Sequence, residues 1–375
     1  MIIFVFSGCT SQFEEANGGT HDETPNQTQN QTPTQPQDYV RGATESKDIP
    51  DAIEDNCIGF LIGAPEEAVT IAKIGGAWAR PHPGPFAWEW MEPEQGQFSF
   101  EATDNWVRQA QSNGIAILAT IWPYAKWDQV ACHSEKCRVT EMDQFYPVSK
   151  DPQKDSGKQD NDHGIPAYRC APCNMDNYKA FLSRLVERYD GDGADDMPGL
   201  EIPIKYWEVM NEPEMADQHL TFFIGTQAEY AKILEMSHAA IKTTCPDCKI
   251  VQGGMANTMP ESLDYWSKVL KLGAADHLDI ANIHYINNGD RDSLNVKDIK
   301  KLYVDEGISR PIPVWVTEAQ YSLEDRDIEI EASVEGALAA GAERIFFTQF
   351  EIGRFGPPRF GEYSAVYDTV VGKCN

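Results

Sequence analysis

The sequence predicts one α/β domain, a closed (β/α)8 TIM barrel, carried behind a disordered N-terminal tether. Three observations lead there. Short apolar runs alternate with amphipathic helical stretches along most of the chain. Most runs are apolar on both faces, as expected of a parallel sheet covered by helices. The 375 residues are 41% hydrophobic and 10% aromatic, enough to fill a single barrel of more than about 250 residues.

Residues 59–63 (GFLIG) read as the first strand and 66–74 as its helix. Residues 76–80 (GAWAR) form the second strand and 100–112 the next helix. Residues 115–122 (IAILATIW) make a near-continuous buried strand, and a long insertion occupies 123–172. Tyr178, Phe181, Leu182, Leu185 and Val186 then recur at the spacing of one helical face. Residues 204–211 are a strand, and Tyr230, Ile233, Leu234 and Ile241 mark another helix. Strands follow at 249–253, 279–284, 314–317 and 344–350, with helices at 261–272, 293–305 and 329–340 between them. No eighth helix is legible. The Gly- and Pro-rich stretch after Phe350 suggests closure by a loop and a short strand.

Residues 2–6 (IIFVF) precede Ser7-Gly8-Cys9, which reads as a lipoprotein-type signal with a lipid anchor on Cys9; the alternative is a plain secretory signal with an incidental cysteine. Residues 10–46 are a linker, with Thr, Pro, Asn and Gln filling 24–37, a composition that cannot bury a core. Asn26-Gln27-Thr28 and Asn30-Gln31-Thr32 fit glycosylation acceptors. The expected organisation is a signal at 1–9, the linker at 10–46 and the barrel at 47–375, outside the cell or at its surface. The nine cysteines agree with export. Without Cys9 eight remain, and an even count in an exported chain reads as disulfides. Cys132, Cys137, Cys170 and Cys173 would staple the insertion; Cys245 with Cys248 and Cys57 with Cys374 are the remaining pairs. Zinc is the alternative for the two C-x-x-C pairs, although the 72-residue separation of Cys173 and Cys245 exceeds ordinary ribbon spacing.

The net charge of −28 argues against nucleic acid, which needs clustered Lys and Arg, and disfavours polyanionic glycans. No apolar run reaches the roughly 18 residues of a spanning helix. A membrane is expected only through the Cys9 anchor, and a monomer is expected.

In a barrel of this kind the active site lies at the C-terminal strand ends. Two glutamates occupy such ends: Glu212 after Trp207-Glu208-Val209-Met210-Asn211, and Glu318 after Val314-Trp315-Val316-Thr317. Desolvation at the barrel mouth raises a carboxyl pKa, and two carboxyls about 5 to 5.5 Å apart suit retaining glycoside hydrolysis. The other reading of such a glutamate is a helix cap or a partner for Arg. Glu208 falls inside the barrel, where it needs a cation, or reaches the mouth.

Residues 206–214 (YWEVMNEPE) and 314–320 (VWVTEAQ) resemble the fourth-strand Asn-Glu-Pro motif and seventh-strand glutamate of glycoside hydrolase clan A, nearest to families 5 and 39. The stretch 75–127 resembles the second and third barrel units of those enzymes, with Arg80 on strand two. The resemblance spans most of 57–350. It implies Glu212 as acid/base, Glu318 as nucleophile, Asn211 on the sugar 2-hydroxyl and Arg80 holding Glu318 ionised. Arg80 as a structural ion pair is the alternative. His284 and Tyr285 fall where clan members place His and Tyr near the nucleophile, usually separated by one residue. Neighbours on a strand point to opposite faces; Tyr285 is the preferred contact, with His284 left open. The clan often has a Trp platform on strand eight, where this chain offers Gln349, Phe350 and Glu351.

Trp78, Trp88, Trp90, Trp122, Trp127 and Tyr124 cluster in units two and three, and aromatic planes stack on sugar rings. Two or three of the five tryptophans are expected to face the cleft, with Trp88, Trp90, Trp122 and Trp127 as the candidate platforms; the rest pack under the insertion. The expected activity is retaining hydrolysis of a neutral β-linked poly- or oligosaccharide such as β-glucan, mannan or xylan, with no cofactor and no metal. Transglycosylation at the same site and a non-catalytic sugar-binding barrel are the alternatives. A metal hydrolase built on His82, His133, His163 and the cysteines is a further alternative, but these histidines lack close ligand spacing.

Overall fold

The computed structural model describes residues 46–139, 164–216, 221–321 and 327–348. Among the described residues there are eight strands: β1 (Ile58–Ile62), β2 (Trp78–Pro81), β3 (Ala116–Ile121), β4 (Tyr206–Asn211), β5 (Lys249–Gly254), β6 (Ala281–Ile286), β7 (Val314–Gln320) and β8 (Ala342–Phe347). They form one parallel sheet in the order β5-β4-β3-β2-β1-β8-β7-β6. Isolated parallel bridges Val251–Ile280 and Met255–Ile283 close the ring between β5 and β6. There the Gln252 N–H donates to the Ile280 carbonyl at 2.9 Å, and the His284 N–H to the Met255 carbonyl at 2.8 Å. The predicted (β/α)8 barrel is therefore the observed fold.

The helices are α1 (Asp51–Glu54), α2 (Ala68–Lys73), α3 (Trp88–Met91), α4 (Glu101–Gln111), α5 (Lys126–Cys132), α6 (Met175–Glu187), α7 (Gln227–Thr244), α8 (Pro260–Lys271), α9 (Val296–Asp305) and α10 (Asp327–Ala339). The start of α6 shows the local logic. The Asn174 side chain caps it by accepting the N–H groups of Asp176 and Asn177. Its buried face is the stripe Tyr178, Phe181, Leu182, Leu185 and Val186, the spacing read from the sequence. Thr226 and Glu229 form a capping box on α7. The short helices α1, α3 and α5 have no counterpart in the sequence pattern, since four to seven residues carry little periodicity.

The cysteine stapling is observed. Cys132–Cys173 and Cys137–Cys170 close the insertion after β3, and Cys245–Cys248 follows α7. Cys57 is also disulfide-bonded; Cys374, its expected partner, lies outside the described residues. So do Cys9, the linker, His163, Gln349, Phe350, Glu351 and the segment expected to close the barrel after β8.

Two apolar layers hold the fold. Side chains pointing out from the strands meet the helices in the larger layer. The smaller layer fills the barrel floor with Leu61, Trp78, Leu118, Val251, Trp315 and Phe346. Arg344 enters this floor from β8. Its guanidinium lies 4.3 Å from the Trp78 ring centroid and 4.6 Å from that of Trp315. It also bonds the Glu54 carboxylate and carbonyl, each at 2.8 Å, while the Trp78 indole N–H donates to the Ile53 carbonyl at 3.0 Å. Helix α1 is thereby fastened across the floor. Arg344→Ala should lower stability by roughly 2–3 kcal/mol, because a desolvated cation between aromatic faces and its ion pair are lost together. Urea unfolding followed by tryptophan fluorescence measures this, and an unchanged midpoint would contradict it.

Candidate active site

The strands deliver a cluster of polar side chains to their C-terminal ends. On β2, Ala79 packs outward, and Arg80, wholly buried, points inward. On β6, Ala281, Ile283 and Tyr285 face the helix layer, while Asn282 and His284 alternate to the inside. Simple alternation fails on β4 and β7, and both departures serve the site. On β4, Met210 has φ +69° and Glu212 has φ +40°, a left-handed conformation that costs about 1–3 kcal/mol in a side-chain-bearing residue. Val209 and Met210 therefore both face outward, and Asn211 and Glu212 both turn to the mouth. On β7 the register shifts against β6 at Ile283/His284 and against β8 between Val316 and Ala319. This bulge turns Thr317 and Glu318 inward together.

Arg80 is the hub. Its Nε meets Glu208 Oε2 at 2.7 Å, Nη1 meets Glu318 Oε1 at 2.8 Å, and Nη2 donates to Asn211 Oδ1 at 2.7 Å. Burial opposes its charge, but Glu208 and Glu318 outweigh that and raise its pKa. Glu208 also accepts from Thr120 Oγ1 at 2.5 Å, Asn282 Nδ2 at 2.6 Å and Thr317 Oγ1 at 3.2 Å. Of the two readings of Glu208, the buried carboxylate with a cationic partner is the observed one.

Glu212 and Glu318 face each other. One oxygen of each, with a ring nitrogen of His284, lies within 4.8 Å of the others. His284 Nδ1 is 2.7 Å from Glu212 Oε1 and 3.8 Å from Glu318 Oε1. Its ring sits directly over Gly254, where a Cβ would stand 1.9 Å from Nε2, so only glycine fits there. Burial pushes the Glu212 carboxyl up to about 8, with Arg80 opposing and Glu208 adding. Burial also raises Glu318, but His284 and Arg80 pull the other way. Of these two carboxyls Glu318 alone is ion-paired to Arg80, so it ionises first. Burial drives the His284 imidazole down to about 4, leaving it neutral at pH 7. Glu214, two residues beyond Glu212, accepts the Ala256 N–H at 2.7 Å and is also pushed up to about 8 by burial and by Glu212.

Of the residues read from the sequence, Arg80, Asn211, Glu212, His284 and Glu318 meet in this cluster. Tyr285 does not: alternation on β6 sends it to the helix layer, where it packs 5.9 Å from Tyr321. The preference between the two β6 neighbours is thus reversed. Trp88 is no platform, being fully buried between Trp127 and Phe181 at 5.2 and 5.6 Å. Trp122 is also fully buried, against His82 and Phe222 at 6.1 and 6.0 Å, with its indole N–H on the Pro83 carbonyl. Trp90 and Trp127 are half-buried, donating to the carbonyls of Gly164 and Glu92. Thr120, Asn282 and Thr317 belong to the site although the sequence does not single them out. Asn282 carries a signal, as the polar residue two before His284 on an apolar strand.

Chelating atoms also converge at Asp190, Asp192 and Asp196. There backbone N–H groups answer the carboxylates, Gly193 donating to Asp196 and Ala194 to Asp192, each at 2.8 Å. At the mouth the cation on Glu318 is the Arg80 side chain. His133 bonds the Ala171 carbonyl at 2.7 Å.

Residues 79–126 match the family model described as β-galactosidase, Glyco_hydro_42. No match was found among curated protein sequences. Among solved structures, a glucosidase from Croceicoccus marinus is similar with a TM-score of 0.56 at 15% identity, over 85% of this chain and 68% of that one. An endo-β-1,4-mannanase from Thermotoga petrophila gives 0.53 at 12% identity, over 85% and 77%. A β-galactosidase from Rahnella sp. R3 gives 0.54 at 12% identity, over 85% and 56%. The resemblance to clan A glycoside hydrolases read at 75–127, 206–214 and 314–320 is thus met by a family match within the first of these segments and by the same barrel.

Proposed function

We propose that this protein is a retaining β-glycoside hydrolase acting on a neutral β-linked poly- or oligosaccharide. The observation that carries this is the Glu212–Glu318 pair, with facing oxygens within 4.8 Å, Glu318 ion-paired to Arg80 and Glu212 against His284 instead. An inverting pair needs about 6.5–9.5 Å to admit a water between the carboxyls. A site that only bound sugar would gain nothing from burying two acids against each other.

The reaction runs in two steps. The Glu318 carboxylate attacks the anomeric carbon as the glycosidic C–O bond breaks, and the leaving oxygen takes the Glu212 proton. Water then attacks the glycosyl–Glu318 ester, giving its proton to the Glu212 carboxylate and releasing Glu318. Asn211 Oδ1 is engaged by Arg80, so its Nδ2 is the donor for a sugar 2-hydroxyl. Arg80, itself held by Glu208, keeps Glu318 charged and in place. The net charge of −28 supports a neutral substrate over a polyanion. The structurally similar glucosidase, mannanase and β-galactosidase support a β-glycan or β-glycoside without choosing the sugar. The disulfides support action outside the reducing cytosol, in line with the signal read at residues 1–9.

Glu318→Gln should abolish turnover of β-glucan, mannan, xylan and β-galactosides while preserving sugar binding. Glu212→Gln should lower kcat/KM about 10²–10⁴-fold, least on aryl glycosides whose leaving group needs no proton. Proton NMR of a running digest should show the β-anomer first; initial α-anomer would overturn the retaining assignment. The kcat/KM profile should be bell-shaped. Glu212 must hold its proton, so activity is present below about 8 and lost as pH rises through that value. Glu318 must be ionised, so activity falls on the acid side as it protonates.

A further inference from the structure

We infer that Thr317 is a positioning residue that fixes the tautomer of His284, so that Glu212 rather than His284 supplies the proton they share. The inference deepens the glycosidase reading and rests on it for its kinetic arm. The Thr317 hydroxyl has one hydrogen and lies 2.9 Å from Asn282 Oδ1 and 3.2 Å from Glu208 Oε1. Both are acceptors. The Asn282 amide cannot be reversed, because its Nδ2 already donates to Glu208 Oε1 at 2.6 Å and to the Gln252 carbonyl at 3.1 Å, and its Oδ1 also receives the Thr317 N–H at 3.3 Å. Thr317 therefore spends its hydrogen inward.

Toward His284 Nε2, 3.0 Å away, the hydroxyl has only a lone pair to offer. His284 must place its hydrogen on Nε2. Neutral imidazole carries one N–H, so Nδ1 presents a lone pair to Glu212 Oε1 at 2.7 Å. At that separation two lone pairs repel, and the contact is a hydrogen bond only when the carboxyl carries the hydrogen. The chain Glu208/Asn282, Thr317, His284, Glu212 thus runs in one direction and ends on a protonated acid. Gly254 beneath the ring and the Asn295 Nδ2 bond to the His284 carbonyl at 2.8 Å hold the strand in place.

The direction matters in both chemical steps. Once Glu212 has given its proton to the leaving oxygen, its carboxylate faces a lone pair instead of an N–H. That carboxylate is a stronger base toward the incoming water. With the opposite tautomer, an Nδ1–H would stabilise the carboxylate, leaving less of Glu212 protonated at neutral pH and weakening it as a base. The other charged and titratable groups facing Glu212 are Arg80 on β2, Glu208 and Glu214 on and after β4, and Glu318 on β7; none of them donates a hydrogen bond to it among the described residues.

Two measurements test this. In the full-length wild-type protein labelled with 15N-histidine, long-range 15N–1H correlation reads each ring directly; the chain has eight histidines, and His284→Gln identifies the signal. The expected result is Nε2–H with Nδ1 as an acceptor; an Nδ1–H ring overturns the inference whatever the enzyme acts on. The second measurement is the pH profile of kcat/KM. Thr317→Val removes the lone pair at equal volume and lets the ring change tautomer. Its alkaline limb should move down by about one pH unit, since a hydrogen bond to the ionised carboxyl lowers its pKa, and Thr317→Ser should restore it. A Thr317→Val enzyme that turns over with the wild-type limb overturns the inference. Wild-type protein inactive on every β-glycoside would instead overturn the proposed function, while the NMR result on His284 would stand.

Discussion

The site depends on one buried guanidinium. Arg80 contacts Glu208, Asn211 and Glu318 with three different nitrogens, joining strands β2, β4 and β7 at the level where the barrel opens. Three carboxyls crowded at a largely buried mouth would repel and protonate; with Arg80 among them, two are held as ion-pair partners and the third, Glu212, has no cation of its own among the described residues. Removing one partner from such a buried set exposes an uncompensated charge, at about 3–5 kcal/mol. The arrangement separates the two glutamates by role through contacts alone: the same residue type, buried in the same mouth, is drawn toward its charged form where a guanidinium touches it and toward its neutral form where an imidazole does.

Delivering these groups required the sheet to break its own period. A regular strand presents every second side chain to the inside, so two adjacent residues cannot both reach the mouth. The positive φ angles at Met210 and Glu212 and the bulge at Thr317 bring adjacent pairs inward on β4 and β7. β6 keeps strict alternation and contributes Asn282 and His284 two residues apart. Irregularity is not confined to the mouth: β7 also shifts register against β8 between Val314 and Trp315, at the floor beside Arg344.

The strands and long helices are legible in the sequence because each buries a face of constant period over many residues. Glu212 and Glu318 are legible for a related reason: an acid at the end of an apolar run interrupts a pattern that packing alone would continue. His284 is within reach, since Ala281, Ile283 and Tyr285 form the apolar phase of β6 and assign the opposite phase to Asn282 and His284. Tyr285 attracts the expectation only if the strand stops short of it, and β6 continues to Ile286. Trp88 and Trp122 cannot be placed from residue type and position alone. A tryptophan after a barrel strand serves a sugar or a loop equally well, and here helix α6 and the β3 insertion supply neighbours from far along the chain. Thr317 is not legible at all. A threonine inside a strand has no signature until the bulge sets it beside His284.

Helix α1 lies across the floor, held by Arg344 and by the Trp78 indole, whereas the carboxyls stand at the opposite pole. Ser46, the first described residue, meets Lys205 just ahead of β4, where Lys205 Nζ donates to Ser46 Oγ at 3.2 Å, so the described chain enters the cylinder at its closed end and the carboxyls open to the far side.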